Sequence, residues 1–191
     1  MSDLKIAVVL GSTREHRLGG AVAAWVLEQA QQRQGATYEL VDLRDHPLPF
    51  FDEPMGPTMH TSTKPEVVRF AETIGAYDGF VFVTPEYNHS YPAVLKNALD
   101  SIYTEWTDKA AALVSYGSYS GARAVEQLRL VLSELQVAHV RGQLGFNLFS
   151  DFENFSSFTP GPHHADAAQG VLEQLERWAG ALQPLRAARD A

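Results

Sequence analysis

The stretch Lys5-Ile6-Ala7-Val8-Val9-Leu10-Gly11-Ser12-Thr13-Arg14-Glu15-His16-Arg17-Leu18-Gly19-Gly20 decides how the rest of the chain is read. Residues 5–10 are a near-continuous apolar run stopped by a glycine, which suits a strand buried on both faces. From 19 to 34 the pattern turns helical, with Val22, Trp25, Val26 and Ala30 on one face. Between them lies a turn rich in hydroxyl and guanidinium groups. A buried strand that feeds a helix in this way is the repeating unit of a parallel α/β sheet.

Outward from this unit the alternation continues. A second strand is expected at 37–42. Pro47, Pro49, Pro54 and Pro57 then mark a loop rather than a linker between domains. Pro65 opens a helix carrying Val67, Phe70, Ala71 and Ile74. Residues 79–84 read as a third strand and 85–91 as a polar loop. Pro92 opens a helix with Leu95, Ala98, Leu99 and Ile102 on its stripe. A fourth strand at 110–116 ends at Gly117, and the next helix carries Val125, Leu128, Leu132 and Leu135. A fifth strand falls within 137–149, broken by Gly142 and Gly145; 151–162 reads as a loop. The last helix carries Val171, Leu175, Trp178 and Leu182. Five strands alternating with helices imply parallel pairing through right-handed crossovers. No repeat or composition break divides the chain, so residues 1–191 are expected to form a single α/β domain. In such an open sheet the binding crevice lies outside the carboxyl ends of the strands. The loops placed there are 11–19, 85–91 and 117–121.

Composition narrows the chemistry. The 191 residues contain no cysteine, which excludes disulfides, thiolate nucleophiles, iron–sulfur clusters and CxxC redox chemistry. A protein of this composition that moves electrons needs a bound organic cofactor. The net charge of −8 argues against a nucleic-acid partner, while a local arginine cluster still suffices for a small anion. Apolar runs are only strand-length, so no membrane span is expected. Met1-Ser2-Asp3-Leu4-Lys5 leads straight into the strand without a signal-peptide pattern, which makes the cytoplasm the default expectation. His163-His164 and the scattered histidines lack metal-site spacing, as do Asp42, Asp45 and Asp52, so no metal site is read. The absence of GxSxG argues against an α/β-hydrolase.

Each of the three loops carries a functional and a plainer reading. In the first, backbone amides at a helix start, the hydroxyls of Ser12 and Thr13, and the guanidinium groups of Arg14 and Arg17 suit a phosphate. The pattern is neither GxGxxG nor a Walker loop, so a mononucleotide fits better than a dinucleotide or triphosphate. A capped turn with two solvated arginines is the alternative. The second, Thr84-Pro85-Glu86-Tyr87-Asn88-His89-Ser90-Tyr91-Pro92, offers two tyrosine rings, an amide and proline-restricted backbone to a planar ligand. A rigid turn whose tyrosines cover the core edge remains open. The third, Ser115-Tyr116-Gly117-Ser118-Tyr119-Ser120-Gly121, pairs glycines for close approach with hydroxyls, or is an ordinary strand-to-helix turn. On the helix after the second loop, Lys96 and Asp100 are expected to pair on the surface. Asn97 is a candidate to tie down that loop's backbone.

Together these segments resemble the NADPH-dependent FMN reductase family, which includes many quinone, azo-dye and chromate reductases. The matching residues are Gly11-Ser12-Thr13-Arg14 through Arg17; Pro85-Glu86-Tyr87-Asn88-His89-Ser90-Tyr91-Pro92-Ala93-Val94-Leu95-Lys96-Asn97-Ala98-Leu99-Asp100; and Ser115-Tyr116-Gly117 through Gly121-Ala122-Arg123. The middle stretch is the most specific, and the likeness covers about 5–135. It implies a flavodoxin-like three-layer sandwich with a five-stranded parallel sheet of order 2-1-3-4-5. It further implies noncovalent FMN, NADPH or NADH as co-substrate, a small-molecule electron acceptor, and a homodimer or homotetramer. By the same likeness Ser12, Arg14 and Arg17 bind the FMN phosphate. Pro85, Glu86, Tyr87 and Asn88 line the isoalloxazine, and Gly117 and Ser118 contact its other side. Gly19 and Ser115 complete the cofactor-binding set. Where several relatives carry Ser-x-Asn late in the phosphate loop, this chain reads Arg17-Leu18-Gly19.

The implied activity passes hydride from nicotinamide to flavin and on to a flavin, quinone or similar acceptor by ping-pong turnover. It requires no side-chain acid or base, so no catalytic residue is assigned. A flavodoxin-like electron carrier without its own NAD(P)H oxidation, and a signalling domain of the same fold without flavin, are the competing readings.

Overall fold

The runs at 6–10, 80–83 and 110–114 have no polar face to offer water, and the computed structural model places them at the centre of a sheet. It describes residues 4–189. Residues 1–3, on which part of the leader reading rests, lie outside the described residues. Five parallel strands form that sheet: β1 (Leu4–Leu10), β2 (Ala36–Asp42), β3 (Gly79–Pro85), β4 (Ala110–Gly117) and β5 (Ala138–Asn147), in the order β2-β1-β3-β4-β5. This is the flavodoxin-like order. Every residue of β3 and β4 is buried, whereas the edge strand β2 alternates.

Strand residues alternate between two cores, as the pleat requires. Ile6, Val8, Leu10, Val81, Val83, Ala112 and Val114 face helices α1 (Gly19–Ala30) and α5 (His163–Arg189). Ala7, Val9, Phe80, Phe82, Ala111 and Leu113 face α2 (Pro65–Gly75), α3 (Ala93–Ser101) and α4 (Ala122–Glu134). Each prolyl helix start is used as expected, with Pro65 inside the first turn of α2 and Pro92 capping α3.

Four details differ from the sequence pattern. Helix α1 stops at Ala30 instead of 34. Gln32 and Arg33 bond three residues back, and the Arg33 side chain is drawn to Glu176 on α5 at 2.7 Å from both Nε and Nη2. Strand β5 bulges against β4: Ala111 pairs with His139 but Leu113 with Gln143, so Gly142 lies in the excess length. The 151–162 loop contains a small antiparallel hairpin, β6 (Phe152–Glu153) with β7 (Ser157–Phe158), turned by Asn154 and Phe155 at positive φ. Phe158 packs edge-on against Trp25 and Phe146. Finally, Trp178 is half exposed, because the buried stripe of α5 runs through Ala168, Val171, Leu172, Leu175 and Ala179.

Candidate functional site

The loops that leave β1, β3 and β4 meet at the carboxyl edge of the sheet. In the first, the Gly11 amide still bonds to Val83 O at 2.9 Å, and the chain then leaves the ladder. Beyond it the amides of Thr13, Arg14, Glu15 and His16 find no acceptor among the described residues. Thr13, Arg14, Glu15 and His16 are exposed. Four free N–H groups in one turn next to a helix start and an exposed arginine form an anion-binding concavity. Gly19, the first residue of α1, lies on the Tyr116 ring; a Cβ there would stand 2.7 Å from the phenolic oxygen and 2.8 Å from Leu10 Cδ1. Burial first, then Tyr87, pushes the Tyr116 phenol up, so it stays a neutral floor to this loop.

The second loop is a two-residue reversal. Tyr87 N donates to Ser90 O at 2.8 Å and Ser90 N to Tyr87 O at 3.1 Å. The central residues Asn88 and His89 both hold positive φ, 50° and 70°. That is the signature of a type I′ turn, and asparagine and histidine are among the few non-glycine residues that enter the left-handed region it needs. The flanking Pro85 and Pro92 are buried, whereas Tyr87, Asn88 and His89 stand out into solvent. Tyr87 reaches across the crevice, its hydroxyl 3.1 Å from Ser12 Oγ. Tyr91 is tucked inward, and burial pushes its phenol up to about 12.

The third loop is shaped by Gly121. At φ 69° it sits so close that a Cβ would be 2.6 Å from Ser115 Cβ. Gly117 O accepts from Ser120 N at 3.0 Å and from Leu148 N at 3.1 Å. Ser118 and Tyr119 remain exposed.

The eleven residues singled out in the sequence therefore divide into three groups. Arg14, Tyr87, Asn88 and Ser118 expose side chains at the crevice. Ser12, Gly19, Pro85 and Gly117 are buried and shape its walls, Ser12 with its hydroxyl on Tyr87. The other three side chains are engaged elsewhere. Ser115 Oγ donates to Ser120 O at 2.7 Å. Glu86 accepts from Arg123 through Nε at 2.5 Å and through its amide at 3.1 Å; Arg123 in turn lies over the Tyr119 ring. Arg17 is paired with Asp42. Burial works against ionising Asp42, but the Arg17 hydrogen bond and the Arg44 amide outweigh it and hold the carboxyl below the usual carboxylate range.

Lys96 and Asp100 pair on the surface at 2.6 Å, as the spacing predicts. Asn97 departs from expectation. Its amide binds Pro49 O at 2.8 Å and Phe51 N at 3.0 Å, so it holds the proline-rich loop rather than its own neighbour. Residues to which the sequence assigned no role at this site are Asp42, Arg44 and Arg123. Their one usable signal is position: the last residue of β2 and the first turn of α4 must lie beside the loops of adjoining strands. A cavity of about 220 Å³ adjoins the crevice, lined by Thr13, Arg44, His46 and Asn97. Another of about 240 Å³, between α2 and the 101–105 segment, shares no residue with the three loops.

These features fit a flavin mononucleotide: free amides and an exposed cation for a phosphate, and a constrained tyrosine–asparagine turn facing a glycine loop for a planar ring. Comparisons with known proteins point the same way. A family model described as NADPH-dependent FMN reductase matches residues 4–151. An NAD(P)H-dependent FMN reductase of Schizosaccharomyces pombe is 44% identical over 135 residues, 70% of this chain and 68% of that protein. The 2-hydroxy-1,4-benzoquinone reductase of a Burkholderia species is 34% identical over 140 residues, 73% of this chain and 69% of that protein. Among solved structures, the flavoenzyme NAD(P)H:(acceptor) oxidoreductase of Paracoccus denitrificans shares the fold at a TM-score of 0.74 and 24% identity, covering 93% of this chain and 98% of that one. No helix among the described residues is long and apolar enough to cross a membrane.

Proposed function

This chain belongs to the NADPH-dependent FMN reductase family, and we propose that the crevice at its sheet edge holds FMN by the loops after β1, β3 and β4. The protein is an NAD(P)H-dependent oxidoreductase; bound FMN supplies the hydride chemistry, accepting from the nicotinamide and giving to a flavin, quinone or similar small acceptor.

The chain's own part is to bind, orient and limit access. The free amides of residues 13–16, with Arg14 and the Ser12 hydroxyl, take the phosphate. Tyr87 and Asn88 on the reversal, between Pro85 and Pro92, face one side of the ring system, and the Gly117–Ser118 backbone faces its edge from the other. Glu86, bound by Arg123, fixes the two loops to each other and is a brace rather than a wall. A backbone held by positive-φ residues cannot relax when electron density at a neighbouring ligand changes, which is what a preorganised site requires. No proton donor is needed from a side chain.

Residues 1–191 act as one domain in this reading, in the cytoplasm, where NAD(P)H is supplied. The working form is a homodimer or homotetramer. Its support is the apolar surface of the loop beside the site, where Phe50 and Met59 are 80% and 74% exposed and Phe51 and Met55 lie between them.

The observation that carries the reading is the row of unbonded amides next to an exposed arginine. Its test is the double variant R14A/R17A. Loaded with FMN and freed of unbound flavin, the wild-type protein is expected to stay yellow with about one flavin per chain and the variant to come through colourless. A variant that stays yellow with unchanged FMN affinity rejects the phosphate assignment.

A further inference from the structure

We propose that Asp42 and Arg44, at the exit of β2, are positioning residues that hold the phosphate loop open through Arg17, and that Arg17 is a brace rather than a phosphate ligand. The inference takes the identity of the anion from the reading above; the brace itself stands on geometry.

Asp42 is the last residue of β2 and lies in register with Leu10, directly beside the loop that follows β1. Arg17 meets it with both ends of its fork: Nη1 donates to Oδ1 at 2.7 Å, and Nη2 to Oδ2. The same Nη1 donates to Ser12 O at 2.5 Å. Arg44 donates its backbone N–H to Asp42 Oδ1 at 2.9 Å and sends Nη2 to Arg14 O at 2.8 Å and Thr13 O at 3.3 Å. Three successive carbonyls, of Ser12, Thr13 and Arg14, are thus gathered by the guanidinium groups of two arginines, each held to the Asp42 carboxylate, Arg17 by its fork and Arg44 by its backbone N–H.

A trans peptide unit is planar, so drawing the carbonyl of one residue to one side turns the N–H of the next to the other. No peptide among the described residues is cis. The amides of Thr13, Arg14 and Glu15 therefore face away from the brace, and these are the amides left without acceptors. The carboxylate also neutralises Arg17, whose side chain is only 11% exposed. Arg14 is exposed and makes no side-chain hydrogen bond among the described residues, so it is the cation left for the ligand.

The two roles of Arg17 predict opposite signs. If it is a phosphate ligand, D42N releases a full guanidinium charge and FMN binds as well or better. If it is a brace, D42N lets the loop carbonyls turn back and FMN binds worse. The experiment titrates D42N and R17K with FMN and with riboflavin, which lacks the phosphate. For a broken brace the Kd for FMN rises about ten- to a hundredfold while that for riboflavin stays within about twofold. R17K is expected to behave like D42N, because a point charge cannot span the carboxylate and Ser12 O as a fork does. Unchanged or tighter FMN binding by D42N, or equal losses for both ligands, overturns the proposal. ¹⁵N relaxation of residues 12–16 in the flavin-free protein separates the brace from the flavin reading. A loop as rigid in D42N as in wild type overturns the brace. If the loop is loosened in D42N while the wild-type protein takes up no FMN, the brace is upheld and the flavin assignment falls instead.

Discussion

Lys109 lies at the foot of β4, 2% exposed, with Nζ donating to Ile74 O at 2.9 Å and Gly75 O at 3.2 Å. It closes the carboxyl end of α2, far from the crevice. A neutral amine carries as many N–H groups as there are carbonyls; the ammonium adds a charge that burial makes costly. Burial first, and the Arg186 charge second, push its pKa from 10.5 down to about 7. In the unfolded chain the lysine keeps its ordinary value near 10.4. Between those values the unfolded state binds more protons, so stability climbs as pH rises, by at most about 1.4 kcal/mol per unit from this group. Below about 7 both states are charged and the penalty is constant. Above 10 the phenols of Tyr38 and Tyr116, pushed up by burial, act in the opposite sense. Urea unfolding at pH 7, 8 and 9 is expected to show the rise in wild type and not in K109M. Parallel curves for the two proteins contradict the assignment.

At the scale of elements, the strands were legible because their residues are apolar over whole runs, and the helices because of their apolar stripes, with Pro65 and Pro92 marking the starts of α2 and α3. What stayed hidden depends on partners distant in sequence. Helix α1 ends early because Glu176, far along the chain, captures Arg33; no local signal marks that. The β6–β7 hairpin has two residues per strand, too few for a period to register. Asn97 looked like a tie for the loop before its own helix, yet α3 presents it to residues 49–51 instead. The turn into α4 was open in the sequence between glycines for close approach and an ordinary turn capped by a serine; the cap is Gly121, with no side-chain cap bond. Its energetic centre is Gly121, which combines left-handed backbone with contact on Ser115. G121A is expected to destabilise the fold by about 1–3 kcal/mol, with the sharpest loss of amide protection at Ser120 to Arg123. Unchanged thermal unfolding would mean the turn has room that the geometry denies.

For the whole molecule, the position of the site was legible and its wiring was not. Topology alone puts the loops after β1, β3 and β4 on one edge, and their residues suggest a mononucleotide. Sequence cannot say that Glu86 faces Arg123 or that Arg17 faces Asp42, because each pair joins segments that only folding brings together. At the end of the family match, Asp151 is bonded at 3.0 Å to His164, which lies beyond it, and the Asp151 carboxylate also accepts from Asn147 N at 2.8 Å. This couples the start of α5 to the end of β5, and Asn147 in turn holds Ser118 O at 3.0 Å. The late loop is thereby tied to the crevice wall. The most direct measurement is the visible spectrum of the purified, FMN-loaded protein in the absence of air while NADPH or NADH is added with no second protein present. The account predicts prompt bleaching of the flavin band and its return when a quinone is added. A band that stays oxidised until a separate reductase is supplied would make the protein an electron carrier and contradict the account.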